Sequence, residues 1–183
     1  MGDVQDAFGG KLFNKFEPEW EYPDKEKYRV HLLDQYKLYV EMADRISARR
    51  QTANSYFLSV NTALLGFVGY LTTKESAEYL WLLGGAGVAL SYAWHRLILS
   101  YRGLNTAKFK VIHAIEKRLP ISPYDAEWEA VGLGENDKLY KPFTHIELNV
   151  PWVFVSLHAF VILRTVSWKT AWDCLLPLIG KGD

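Results

Sequence analysis

Two long runs without a charged residue constrain this chain more than any other feature. Tyr56–Thr73 contains 18 residues and no Asp, Glu, Lys or Arg. As a helix it would extend roughly 27 Å, close to the ~30 Å of a bilayer's hydrocarbon core. Tyr79–Leu97 is uncharged until His95 and Arg96, which stand where a long side chain reaches the headgroups. Lys74, Glu75 and Glu78 form a short polar hairpin between the two. A third uncharged run, Val150–Leu163, has 14 residues. With Arg164 snorkelling and the run ending near Trp168, it spans from about Pro151; the alternative is a re-entrant or interfacial helix. The fold class expected is therefore all-α: a polytopic membrane protein with two to three transmembrane helices and cytoplasmic helical extensions.

Composition alone would not separate this from a soluble domain, since 49% hydrophobic residues suit either. What separates them is the blockwise distribution. A net charge of zero, with no basic stripe among the aromatics, argues against nucleic acid as a partner. The single cysteine, Cys174, excludes an internal disulfide and a cysteine-rich metal site. Met1–Tyr28 is polar and lacks a signal-peptide pattern, so the first membrane helix is expected to act as its own insertion signal.

Six segments follow. Residues 1–24 form an irregular lead, with Phe13, Phe16 and Trp20 among glycines and prolines. Residues 25–55 form a cytoplasmic amphipathic helix continuous with the first span; Leu32, Leu33, Tyr36, Val40, Ala43 and Ile46 recur at helical spacing. Residues 56–99 form the transmembrane hairpin. Residues 100–149 form a cytoplasmic helical region, in which Leu104, Lys108, Val111, Ile112, Ile115 and Leu119 line one side before Pro120. There, Ser122 as cap, Pro123 at the first position, Asp125 three residues on and Gly132 at the end predict a short helix. Thr144 with Glu147 predicts a second capping box. Residues 150–168 are the third segment, and residues 169–183 an interfacial tail broken by Pro177. Basic residues Arg45, Arg49 and Arg50 precede the first span, and Arg96, Arg102, Lys108 and Lys110 follow the second, against Lys74 alone in the hairpin. The N-terminus and residues 100–149 therefore face the cytoplasm.

The most informative small pattern is Ser55, Ser59, Thr62, Gly66, Gly69 and Thr73, which share a stripe of the first span. Small residues let helices approach closely in lipid, where no hydrophobic drive joins them. The ordinary reading packs this stripe on the second span, which has Gly84, Gly87 and Ser91. The sharper reading lines an oligomer's pore with it. Asn61, off the stripe, predicts a contact between helices or subunits, because an unpaired amide is costly in lipid. His158 is the ionisable residue inside the third segment; a histidine bonded to a neighbour is favoured over a functional site. Arg45, Arg49, Arg50 and Arg96 read as anchors or as partners of anionic lipid headgroups, and Arg49 could also pair with Asp44 or Glu41 of an adjacent subunit.

Nothing in the sequence asks for an enzyme. His113 and Glu116 are too few for a metal site, and no phosphate loop, nucleophile elbow or CxxC occurs. No catalytic residue, cofactor or metal is expected; a membrane enzyme using His158 or His113 is the third alternative, after a scaffold and a channel.

Several stretches carry a family resemblance: Tyr36–Asn54 running into Leu58–Leu64, Trp94-His-Arg through Tyr101–Lys110, Ile115–Pro120 and Tyr124–Trp128. From Tyr36 to Val155 they resemble the RipA-type small bacterial membrane proteins. That resemblance implies a bacterial inner-membrane location and a ring-like homo-octamer, with no catalytic residues to carry over. More distantly, the helix, hairpin and Tyr-Arg-x-Leu-Asn helix are similar to the two-span SLATT effectors, which implies membrane perturbation or pore formation. The expected partners are further copies of the chain and membrane lipids, in an oligomeric scaffold or envelope-associated assembly without catalysis.

Overall fold

The computed structural model describes residues 12–13, 22, 24–74, 79–135 and 143–166. Among these, four α-helices and one short 3-10 turn occur and no strand. They are α1 (Lys25–Thr72), α2 (Leu80–Glu116), α3 (Pro123–Ala130), the turn Gly132–Gly134, and α4 (Phe143–Thr165). The lead apart from Leu12, Phe13, Tyr22 and Asp24, most of the hairpin (75–78), part of the loop before α4 and the tail from 167, with Phe16, Trp20, Trp168 and Cys174, lie outside the described residues.

The chain divides into two units. The first takes residues 1–50 and 100–142, the second residues 51–99 and 143–183. Helix α1 is one uninterrupted helix of 48 residues. Asp24 starts it: its carboxylate accepts the Glu26 N–H at 2.9 Å, satisfying one of the orphan donors of the first turn. Helix α2 ends in tight i→i+3 bonds, Arg118 N–H to Ile115 O and Leu119 N–H to Glu116 O, and Pro120 stops it.

In the first unit, Leu32 and Ala43 of α1 and Ile112, Ala114 and Ile115 of α2 are buried. The two apolar stripes thus cover each other in part, and Leu33, Leu38, Met42 and Leu104 stay exposed. Lys108 is buried as well, with its ammonium 4.3 Å over the Tyr39 ring.

In the second unit, three helix segments turn one seam inward. On α2 the seam is Leu80, Gly84, Gly87, Ser91, Trp94 and Ile98, at alternating spacings of four and three. On α1, Asn61 and Val68 are the most buried positions, and on α4, Glu147, Pro151 and His158. Tyr56, Phe67 and Tyr70 of α1, Trp81, Leu82 and Tyr92 of α2, and Trp152, Leu157 and Phe160 of α4 face outward.

Among the described residues, one helix is long and apolar enough to cross a membrane: Ile146–Thr165, 20 residues with mean hydropathy 1.7. Only 17% of its window is buried within the chain, whereas the core helix of a soluble protein is mostly buried. One expectation changes here. The third segment was bounded at Val150, but the helix begins at Phe143 and is continuous through Pro151, so a re-entrant turn gives way to a helix long enough to span. Its charged residue Glu147, which bounded the uncharged run in the sequence, accepts a bond from Asn54. The expected spans Tyr56–Thr73 and Tyr79–Leu97 lie within longer helices that do not reach the same apolarity, since Ser, Thr, Asn, Gly and Tyr fill their uncharged windows.

The local prediction for α3 also changes. Ser122 makes no side-chain cap bond. Its role falls to a residue of another helix, Glu116.

Candidate functional site: a polar interior and an uncovered small-residue face

The second unit is held by two polar rungs, each joining all three helices. In the first, Trp94 donates its indole N–H to Asn54 Oδ1 at 2.8 Å, and Asn54 donates its amide to Glu147 Oε1 at 2.8 Å. Phe57 stacks on Trp94, with ring centroids 5.9 Å apart. In the second rung, the Ser91 hydroxyl donates to Asn61 Oδ1 at 2.9 Å, and His158 Nε2 meets the same oxygen at 3.1 Å. Asn61 in turn donates to its own helix at Phe57 O. All three side chains are fully buried. An oxygen opposite Nε2 places the imidazole proton there and leaves Nδ1 bare; no described residue bonds it.

Helical spacing puts these groups in register. Asn54 and Asn61 are two turns apart, Ser91 and Trp94 one turn, Glu147 and His158 three turns. The small residues of α2 serve this rung. A Cβ added at Gly87 would overlap the His158 ring, and one at Gly84 would come within 2.7 Å of Ile162 Cγ1.

That corrects the expected partner of the small-residue stripe. Gly84 and Gly87 receive Ile162 and His158 of α4, and only Ser91 of this set meets α1, at Asn61 rather than at the stripe. Ser55, Ser59, Thr62, Gly66, Gly69 and Thr73 are all exposed, and a Cβ at Gly66 or Gly69 would meet nothing within 4 Å. The stripe lies about one residue, or 100°, away from the inward seam of α1. Its hydroxyls bond back to their own helix, Ser59 to Ser55 O, Thr62 to Leu58 O and Thr73 to Tyr70 O. Asn61 stands apart from this stripe, inside its own chain. Sequence spacing singled out Asn61, Ser91 and His158 separately but did not join them. Asn54, Trp94 and Glu147 were missed; the two-turn interval between the asparagines was the available signal.

The basic residues are placed less uniformly than the sequence suggests. Arg45 bonds Glu41 of its own chain at 2.6 Å. Arg49 and Arg96 are exposed and Arg50 is half-buried.

In the first unit, Glu116 is fully buried and gathers three donors. Its Oε1 accepts the Tyr36 hydroxyl at 2.7 Å and the Tyr124 N–H at 3.1 Å, and its Oε2 accepts the Asp125 N–H at 3.2 Å. It therefore caps α3 from outside, where the helix's positive end favours an anion. Asp125, freed from capping, lies 3.5 Å from His113 Nδ1. Burial, then the bond to Glu116, pushes the Tyr36 phenol well above its ordinary range; burial, then the charge of Asp44, pushes Tyr124 up as well. These contacts account for His113 and Glu116 structurally.

Comparison with curated proteins and with solved structures found no match to the chain. A family model matches residues 33–167, nearly the whole described part of the molecule. It covers α1 from Leu33 onward, both polar rungs and all of α4, in agreement with the resemblance to octameric membrane proteins carried by Tyr36–Val155. The chain belongs to the octameric membrane protein family (8xMP).

Proposed function

We propose that this protein is a non-catalytic building block of a homo-oligomeric membrane assembly, of about eight copies, in a bacterial inner membrane. In this reading all three segments of the second unit cross the bilayer, the N-terminus and residues 100–149 are cytoplasmic, and Arg45, Arg49, Arg50 and Arg96 meet lipid headgroups. The observation that carries it is the inverted polarity of the second unit. Asn61, Ser91, His158 and Glu147 are buried, while Phe67, Leu82, Trp152, Leu157 and Phe160 face outward. In lipid this is the favourable arrangement, because amides and imidazoles must find partners and apolar side chains need none. It compensates for the modest hydropathy of the first two segments, whose polar residues are turned inside.

Copies associate through the Ser55–Thr73 stripe of α1. Its glycines are open, and the hydroxyls of Ser59, Thr62 and Thr73 spend their protons on their own helix carbonyls. That favours close, dry packing over a water-lined wall.

The test is native mass spectrometry of the protein in mild detergent with lipids retained. The expected result is one closed oligomer near eight subunits, and its loss to smaller species in Gly66→Leu with Gly69→Leu. A monomeric wild type, or a substituted protein of unchanged particle size and stability, would overturn the proposal.

A further inference from the structure

The first unit carries two complementary exposed features. One is a groove of about 550 Å³ floored by Leu32, Leu33, Leu119 and Pro120 and bordered by Arg29 and Arg118. That volume lies within the range of about 300–1,000 Å³ typical of binding clefts. Arg118 makes a long contact to Tyr28 Oη, 3.4 Å, and lies over the Phe13 ring, which holds its guanidinium at the rim. Leu33 is 41% exposed within a groove that is otherwise apolar.

The other feature is α3 and the turn after it. Helix α3 has no buried residue. It carries Asp125, Glu127 and Glu129, and Glu135 follows the turn. Asp125 is engaged by His113. Two large apolar side chains project among these carboxylates: Trp128, 40% exposed, and Leu133, 53% exposed. Leu133 adopts φ 56°, between Gly132 at 71° and Gly134 at 76°. A bulky residue seldom takes this left-handed conformation, and such outliers persist where a side chain must be presented in one direction. Gly134 has to be glycine here, since a Cβ would come within 2.8 Å of the Trp128 ring.

We infer that, in the assembly proposed above, α3 of one copy docks on the Arg29–Arg118 groove of a second copy. Trp128 and Leu133 enter the apolar floor, and Glu127 and Glu129 meet the two guanidiniums. The charge signs are opposite, and each feature supplies what the other lacks: a concave apolar floor under cations, and convex apolar knobs among anions. Aromatic and arginine anchors of this kind dominate protein interfaces. Because the two patches differ, the contact is head-to-tail, the type that repeats around a ring. The inference rests on the self-assembly reading but adds a contact outside the α1 stripe.

The experiment uses the full chain in a Cys174→Ser background. Two differently tagged copies are co-expressed, one with Leu119→Cys and the other with Leu133→Cys, and treated with a short bis-maleimide. A crosslink carrying both tags is expected, since neither copy alone contains both thiols. Arg29→Glu with Arg118→Glu on the Leu119→Cys copy should lower its yield at least tenfold, and Glu127→Arg with Glu129→Arg on the other copy should restore it. Both arginines are exposed, so their reversal leaves the buried packing untouched. Absence of the mixed crosslink, with native mass spectra still showing the closed oligomer, would overturn the docking and leave the assembly reading standing. A crosslink indifferent to charge reversal would overturn it equally. Failure to form any oligomer would sink the assembly reading and this contact with it.

Discussion

Gly87 shows how much a single hydrogen atom decides in this molecule. Any side chain there would enter the His158 ring, and that ring is one of two partners satisfying Asn61. Gly87→Ala should therefore lower the thermal stability of the detergent-solubilised protein by about 1–3 kcal/mol, the usual cost of overpacking. In a His158→Ala background the same change should be close to neutral, since the clashing ring is gone. A double-mutant cycle on melting temperature checks this; independent, additive effects would place His158 elsewhere. Tyr36 gives a pH-dependent counterpart. Its phenol is held protonated above the ordinary tyrosine value near 10, by burial and by Glu116. A group whose folded pKa is raised contributes stability that is complete below its unfolded pKa and is lost as pH rises toward the folded one. The wild type should thus be more stable than Tyr36→Phe at pH 8, and that advantage should shrink steadily above pH ~10. A constant difference across this range would remove the Tyr36–Glu116 bond from the account.

At the scale of elements, α3 depends on a neighbour. Eight residues with no buried side chain cannot hold a helix by their own burial. What holds this one is the Glu116 carboxylate on its first two free N–H groups, with Phe109 packed near Tyr124 at 5.7 Å between rings. Glu116→Ala should cost on the order of 3 kcal/mol, because charge-assisted bonds are lost and buried donors are left unsatisfied. The effect should be local: amide exchange in residues 123–130 rises, while residues 59–68 of α1 keep their protection. Uniform loss of protection would mean that Glu116 supports the whole unit. The sequence placed this helix correctly through Pro123 and Gly132, because those signals act within a few residues. It assigned the cap to Ser122, because a carboxylate arriving from a preceding helix leaves no trace in local spacing.

For the whole molecule, the proposed topology has a direct consequence for the one cysteine. With α4 crossing from a cytoplasmic start, Cys174 falls on the outer side. A membrane-impermeant maleimide should label it in intact spheroplasts, and Cys174→Ser should abolish the signal. Labelling only after permeabilisation would reverse the orientation or return the third segment to the membrane surface. The polar rungs bear on the same question. Buried hydrogen bonds between membrane helices contribute modestly, about 0.6 kcal/mol on average. Two rungs therefore specify register among three segments more than they add stability.

What the sequence determined by itself was everything written along the chain. The uncharged runs, the 3.6-residue periodicity and the proline and glycine punctuation located the helices and the all-α class. The wording of Tyr36–Val155 located the family. Asn61 and His158 stood out because a polar group in an apolar run needs a reason. Only the tertiary structure decided which faces meet. The stripe from Ser55 to Thr73 and the set Gly84, Gly87 and Ser91 look equally suited to each other in sequence. Yet Gly84 and Gly87 are filled by Ile162 and His158, Ser91 bonds Asn61, and the first set is left open. The physical reason is that small residues specify a close approach but not a partner. The partner is chosen by the groups that must be satisfied, here Asn61 and His158, and their pairing across 97 residues is a property of the folded chain alone.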